Sequence, residues 1–176
     1  MTLINLKNNF YNFFNLPKDE FNLNELNEYS LKVYKYLKKH HKELLKNISL
    51  EKSNFGKKYI SLELKTKNEN AVAILYFETE NKELTVGFDS FHSHYDSYAE
   101  LNFEKELKNA LENFYKLLKD ELFVVSAGGG ASTLLTNEEI EIIESGKILE
   151  HFNYECITYY ITSWSGKHDR IFRNPN

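Results

Sequence analysis

The stretch KKYISLELKTKNENAVAILYFETENKELTVGFDSF, residues 57–91, decides the fold class, because it contains three strand patterns in succession. Residues 57–67 alternate between apolar and polar side chains, residues 70–79 are apolar on both faces, and residues 82–91 alternate again. The turns between these patterns are only a few residues long. Because parallel strands need a crossover of about a dozen residues or more, such turns predict an antiparallel meander.

Helical patterns lie on both sides of this meander. Residues 24–48 and 101–120 carry apolar side chains at three- and four-residue steps, as one face of an amphipathic helix does. A shorter helix is predicted for residues 136–146, because Thr136 and Glu139 have the spacing of a capping box at its start. These helices are expected to cover the sheet.

Further strand patterns occupy residues 122–126 and 155–164, and residues 167–172 fit a last edge strand. The strand patterns follow one another along the chain as a meander and do not alternate strictly with helices. The sequence therefore predicts an α+β fold, with a mostly antiparallel sheet and helices packed on one face. A chain of 176 residues has the usual size of one domain. We expect a single domain over residues 1–176, in which residues 1–22 form an N-terminal extension that the patterns leave unassigned.

The charge balance and the cysteine content restrict the function. The formal net charge is −4, whereas a duplex-binding protein needs clustered Lys and Arg, so a nucleic acid partner is not expected. A basic partner is more compatible with this balance. The single cysteine, Cys156, rules out an intramolecular disulfide and a Cys-rich zinc site. Because no signal peptide or membrane-spanning pattern is visible, we expect a cytoplasmic protein without a membrane partner.

The segment GFDSFHSHYDSYAE, residues 87–100, is the densest group of potential ligands. If the strand continues past Phe88, then His92, His94 and Asp96 point to the same face, at steps of about 6.6 Å. Two imidazoles at this spacing can converge on one ion, which makes these three residues candidate metal ligands. A catalytic metal centre also needs further ligands and supporting contacts, and no other residue is placed nearby by its spacing. We therefore expect a structural strand end with a partly exposed rim, and no metal or other cofactor.

No complete catalytic motif is present elsewhere. The loop SAGGGAS, residues 126–132, lacks the lysine of a phosphate-binding loop and the spacing of a dinucleotide fingerprint. The segment SWSG, residues 163–166, lacks the G-x-S-x-G elbow of a serine hydrolase. Cys156 begins an apolar strand pattern, where a lone cysteine is most often a small buried hydrophobe.

Three segments together carry a family resemblance: TVGFDSFHSHYD at 85–96, LFVVSAGGGAS at 122–132 and ITSWSGKHD at 161–169. They resemble small bacterial immunity proteins that are encoded beside the toxins of polymorphic or contact-dependent growth inhibition systems. The resemblance covers about residues 55–172. The matching positions are Gly87, Phe88, His92, His94, Tyr95, Asp96, Gly128 and Trp164 to Gly166.

The resemblance implies a binding protein and not an enzyme. Such a protein neutralises a toxin domain, typically a nuclease whose own substrate site is basic, and a mildly acidic inhibitor suits that partner because complementary charge speeds association. Immunity proteins differ in where they bind, so the contact residues do not follow from the resemblance. We expect the toxin-facing surface to include Asp89, Asp96, Trp164, His168 and Asp169.

Two other functions remain open at this point. One is a metal-dependent hydrolase that uses His92, His94 and Asp96. The other is a general peptide- or ligand-binding adaptor with an aromatic-rich sheet face as its groove.

Overall fold

The computed structural model describes residues 22–54, 56–95, 103–127, 130–147 and 158–173. Within these ranges the helices are α1 (Glu28–His40), α2 (Phe103–Leu118) and α3 (Asn137–Glu144), with short 3-10 turns at Leu23–Glu25, Lys42–Asn47 and Glu80–Lys82. The strands are β1 (Ile48–Lys52), β2 (Lys58–Leu64), β3 (Leu75–Glu78), β4 (Leu84–Phe88), β5 (Phe91–Tyr95), β6 (Phe123–Ala127), β7 (Ser132–Leu135), β8 (Thr158–Thr162) and β9 (Arg170–Arg173).

The α+β fold and the antiparallel pairing are confirmed, but the strands form two sheets where the sequence suggested one. The first sheet has five strands in the order β1-β2-β3-β4-β5, a meander in chain order. The second has four strands in the order β7-β6-β8-β9. All named strand pairs are antiparallel.

The helix expected over residues 24–48 ends early. α1 stops at His40, and His41 has φ −139°, which is incompatible with a continuing helix. A 3-10 turn follows, and residue 48 begins β1. Leu44 and Ile48 are nevertheless buried, as the periodicity suggested. The apolar spacing continued across the helix end because the next elements face the same core.

The strand expected over residues 82–91 is a hairpin. β4 ends at Phe88 and the chain reverses through Asp89 and Ser90, with Asp89 at φ +54°. Aspartate tolerates this left-handed conformation better than most residues, because its short side chain bonds to nearby backbone. The hairpin places His92 opposite Gly87.

The main core lies between one face of the first sheet and the helices α1 and α2. Val33 of α1 and Leu107 and Phe114 of α2 belong to the same buried cluster as the inward residues of this sheet. Those inward residues are Ile48, Ile60, Leu62, Leu64, Leu75, Phe77, Leu84, Val86 and Phe88. The expectation that helices pack on one face is therefore met for α1 and α2.

The second sheet contributes to two cores. Val124 of β6 is fully buried in the main cluster, whereas its neighbours Phe123 and Val125 point into a smaller cluster with Ile140 of α3. Because neighbouring residues on a strand face opposite sides, β6 lies between the main core and α3.

Replacing Thr136 with Ala is expected to lower the free energy of unfolding by about 1 kcal/mol. The Thr136 hydroxyl accepts a hydrogen bond from the Glu139 amide at 3.3 Å, and the Glu139 carboxylate accepts one from the Thr136 amide at 2.8 Å. Urea denaturation measures the change, and Thr136→Ser is the matched control because serine caps equally well. Equal stability of the Ala variant would mean that this cap contributes nothing.

Candidate functional site

The first sheet has a second face, opposite α1 and α2. Because side chains alternate along a strand, the residues between the inward ones point to this side. We call it the polar sheet face. Its strand residues are Ser49, Glu51, Tyr59, Ser61, Glu63, Tyr76, Glu78, Thr85, Gly87, His92 and His94.

The strand residues of the polar sheet face include carboxylates but no lysine or arginine. Two lysines, Lys57 and Lys65, continue the alternation that points to this face, but they lie just outside the ends of β2. The carboxylates within the strands or beside their ends include Glu51, Glu63, Glu78, Glu80 and Glu83. The face is therefore acidic at its centre.

These carboxylates are close enough to influence one another. Burial raises the pKa of the Glu78 carboxyl above its ordinary value, and the charges of Glu80 and Glu63 raise it further. Burial also raises the pKa of Tyr59, and the same three glutamates and Glu51 add to the effect. Like charges near one another in a sheet are destabilising, and His94 offsets only part of this effect by lowering the pKa of Glu78. This clustering costs stability in the free protein.

Tyr76 lies against Gly87 in the middle of this face. A Cβ atom placed on Gly87 would be 2.3 Å from Cζ and 2.5 Å from Oη of Tyr76. The phenol end of the ring therefore occupies the volume that a side chain at position 87 would fill. Tyr76 is paired with Glu63 on β2 and with Gly87 on β4. Gly87 is in turn paired with His92 on β5.

His92 and His94 share this face, as the sequence predicted, although they lie within β5 and not past the end of β4. Their rings are 5.2 Å apart, and both residues are exposed. His94 Nδ1 contacts the Glu83 carboxylate and lies 3.1 Å from the Thr85 hydroxyl. Within the described ranges, no three His, Cys, Asp or Glu side chains are placed to bind one metal ion. Asp96, the proposed third ligand, lies outside those ranges.

Asp169, a predicted contact residue, accepts hydrogen bonds at the place where the two sheets meet. One carboxylate oxygen accepts from the Ser163 amide at 2.7 Å and from the Ser163 hydroxyl at 2.9 Å. The other accepts from the side-chain amide of Asn70 at 3.1 Å. Burial alone would raise the pKa of Asp169, but bonds from Ser163, Asn70 and Asn68 hold it below its ordinary value.

The same region, which we call the inter-sheet junction, ties the loop after β2 to the loop after β8. Asn68 donates to the Ser163 carbonyl at 2.7 Å, and Thr66 donates to the Trp164 carbonyl at 2.6 Å. Gly166 has φ +74°, and a Cβ at this position would lie 3.2 Å from the Asn68 side chain. The Trp-Ser-Gly segment thus forms a tight turn against the first sheet.

Trp164 and Asp89 also make structural contacts in this region. The Trp164 ring lies 5.8 Å from the Phe88 ring in an edge-to-face arrangement, and the residue is half-buried. Asp89 accepts a hydrogen bond from the Val72 amide at 2.7 Å. His168 is exposed, with its ring 5.6 Å from that of Phe123. The structure thus brings Trp164 and Asp169 together at the junction, and their role in partner contact stays a prediction.

Sequence reasoning did not single out the polar sheet face. The patterns place Glu63 and Tyr76 in separate strands, and the pattern of residues 70–79 predicts a strand buried on both sides. Their cross-strand pairing could not be derived from either pattern alone. The usable signal was one glutamate in each of β2 and β3, at a position that alternates with the inward apolar residues.

No protein family, characterised protein or solved structure gives a significant match to this chain. None of the helices in the described part of the chain is both long and apolar enough to cross a membrane.

Proposed function

We propose that this chain is an immunity protein that binds and neutralises a cognate bacterial toxin domain in the cytoplasm, and that the toxin is of the nuclease type. The observation that carries the proposal is the polar sheet face, which clusters carboxylates without a strand lysine or arginine among them. A nuclease presents a basic surface to its substrate phosphates. An acidic face of this kind is complementary to that surface and repels nucleic acid itself.

The arrangement suits binding better than catalysis. The exposed or half-buried carboxylates and the two histidines lie on one sheet surface, where opposite charge on a partner would speed encounter and set its orientation. The like-charge repulsion around Glu78 is relieved when a cationic surface covers the face. The resemblance of the segments around Gly87 and Trp164 to immunity proteins supports the same function.

Co-expression with the C-terminal domain of the neighbouring open reading frame is the direct test. We expect that domain to stop growth when expressed alone, and co-expression of this chain to restore growth and yield a stable complex. The absence of both rescue and complex would overturn the proposal.

Charge neutralisation on the face gives a quantitative prediction. The double substitution Glu63→Gln/Glu78→Gln is expected to slow association with the toxin domain about tenfold at low salt, because steering depends on the local charge. The matched control is Glu104→Gln/Glu112→Gln, which removes two exposed carboxylates from α2. Stopped-flow kinetics at several salt concentrations measure both. Equal slowing by the two variants would mean that only net charge matters.

A further inference from the structure

The contact between Tyr76 and Gly87 gives the polar sheet face a defined centre. Tyr76 is only half-buried, yet its phenol end occupies the side-chain volume of Gly87. A glycine at this position leaves room for the ring, which any larger residue would displace. The ring is thus supported from beneath by the β4 backbone, and an aromatic side chain that is already placed loses little freedom on binding.

Two glutamates neighbour Tyr76 within the sheet. Glu63 is directly opposite Tyr76 on β2 and is exposed, and Glu78 lies two residues along β3 on the same face. Opposite residues on antiparallel strands have Cβ atoms about 5 Å apart, so Glu63 and Tyr76 are near enough to contact the same long side chain of a partner.

This combination matches one side chain better than the others. An arginine guanidinium stacks on an aromatic ring and can also bond a carboxylate through two parallel N–H groups. A lysine ammonium gains the charge attraction but lacks the planar fork. A phosphate or a nucleic acid backbone would be repelled by Glu63 and Glu78.

We propose that Tyr76, supported by Gly87 and flanked by Glu63 and Glu78, is the binding position for an arginine side chain on the surface of the protein partner. The assignment of that partner as a toxin domain rests on the proposed function, whereas the preference of the position for arginine does not.

The first experiment needs no toxin. A peptide of alternating arginine and glycine is titrated into the full chain, with amide NMR shifts as the readout, and a lysine-glycine peptide of equal charge is titrated in parallel. We expect the largest shifts at Gly87, Tyr76 and Glu63, with binding of the arginine peptide at least about threefold tighter. Shifts centred elsewhere, or equal affinity for the two peptides, would overturn the proposal.

Substitutions distinguish the contribution of the Tyr76 ring to arginine binding from the contribution of negative charge. Tyr76→Leu is expected to weaken arginine-peptide binding about five- to tenfold, whereas Tyr76→Phe keeps the ring and stays within about twofold of wild type. Gly87→Ala, which displaces the ring, should weaken binding as Tyr76→Leu does. Glu112→Gln on α2 is the control for loss of one negative charge. Circular dichroism confirms that each variant is folded, and unchanged affinity in folded Tyr76→Leu would contradict the assignment.

The same variants distinguish this inference from the proposed function. If wild-type protein binds and neutralises the toxin domain but folded Tyr76→Leu does so equally well, the proposed function stands and the arginine position is wrong. If the peptide experiment gives the expected result but no toxin is bound, the position stands and the partner is of another kind.

Discussion

Replacing Phe114 with Ala is expected to lower the free energy of unfolding by about 3–5 kcal/mol. Phe114 is fully buried on α2, and its ring meets the Phe77 ring of β3 edge-on at 6.3 Å. Truncation removes apolar burial and this ring contact, and it leaves a cavity between the helix and the sheet that the surrounding backbone can fill only in part. Urea denaturation measures the loss.

The matched control is Val72→Ala, because Val72 is 83% exposed. Its expected change lies within about 0.5 kcal/mol of zero. A loss below about 1 kcal/mol for Phe114→Ala would show that α2 does not pack on the first sheet through this ring.

Replacing Asp169 with Ala is expected to lower the free energy of unfolding by about 2–3 kcal/mol. The substitution removes the acceptor for the Ser163 amide, the Ser163 hydroxyl and the Asn70 side chain. Ser163 is fully buried, so its amide cannot turn to solvent and loses its partner in the folded state. Because the junction connects the two sheets, we expect reduced protection from hydrogen exchange in both loops. A control at an exposed carboxylate, Glu104→Ala on α2, should change stability by less than about 0.5 kcal/mol.

The pH dependence of this effect has a definite sign. The pKa of Asp169 is lower in the folded protein than its ordinary value, because the bonds from Ser163, Asn70 and Asn68 outweigh the effect of burial. The carboxylate therefore contributes stability that is fully present above the unfolded value of about 3.9 and is lost as the pH falls through the folded value. The stability difference between wild type and Asp169→Ala should be constant from about pH 7 to pH 5 and shrink below about pH 4. A difference that grew on acidification would contradict this role.

The parts of the fold that were predicted correctly depend on local patterns. The apolar stripe of α2 has the helical period over its full length, and the Thr136–Glu139 capping box sets the start of α3 within a few residues. Local signals were weaker where chain direction changed within an apolar series. The apolar spacing from Leu37 to Ile48 passed through the end of α1. At the turn after β4 the alternation changes phase, because Val86 and Phe88 point into the core whereas His92 and His94 of β5 point to the opposite face.

The candidate site was predicted only in part, and for a related reason. That His92 and His94 share a face follows from alternation along one strand, and the structure confirms it. Glu63, Tyr76 and Gly87 lie on three different strands, and they become neighbours only through the pairing of β2 with β3 and β3 with β4. A shift of one residue in either pairing would have turned these side chains into the core.

The sequence by itself determined the α+β class, the presence of the three helices and the acidic balance, because each depends on the periodicity of a short segment or on a total count of residues. Only the tertiary structure decided that the strands form two sheets, that Asp169 and Asn68 join them, and that Tyr76 lies on Gly87 among carboxylates. The physical reason is that strand order and register are set by contacts between residues far apart in the chain. The free energy of these contacts depends on the whole packed core. No single segment of the sequence therefore specifies strand order or register.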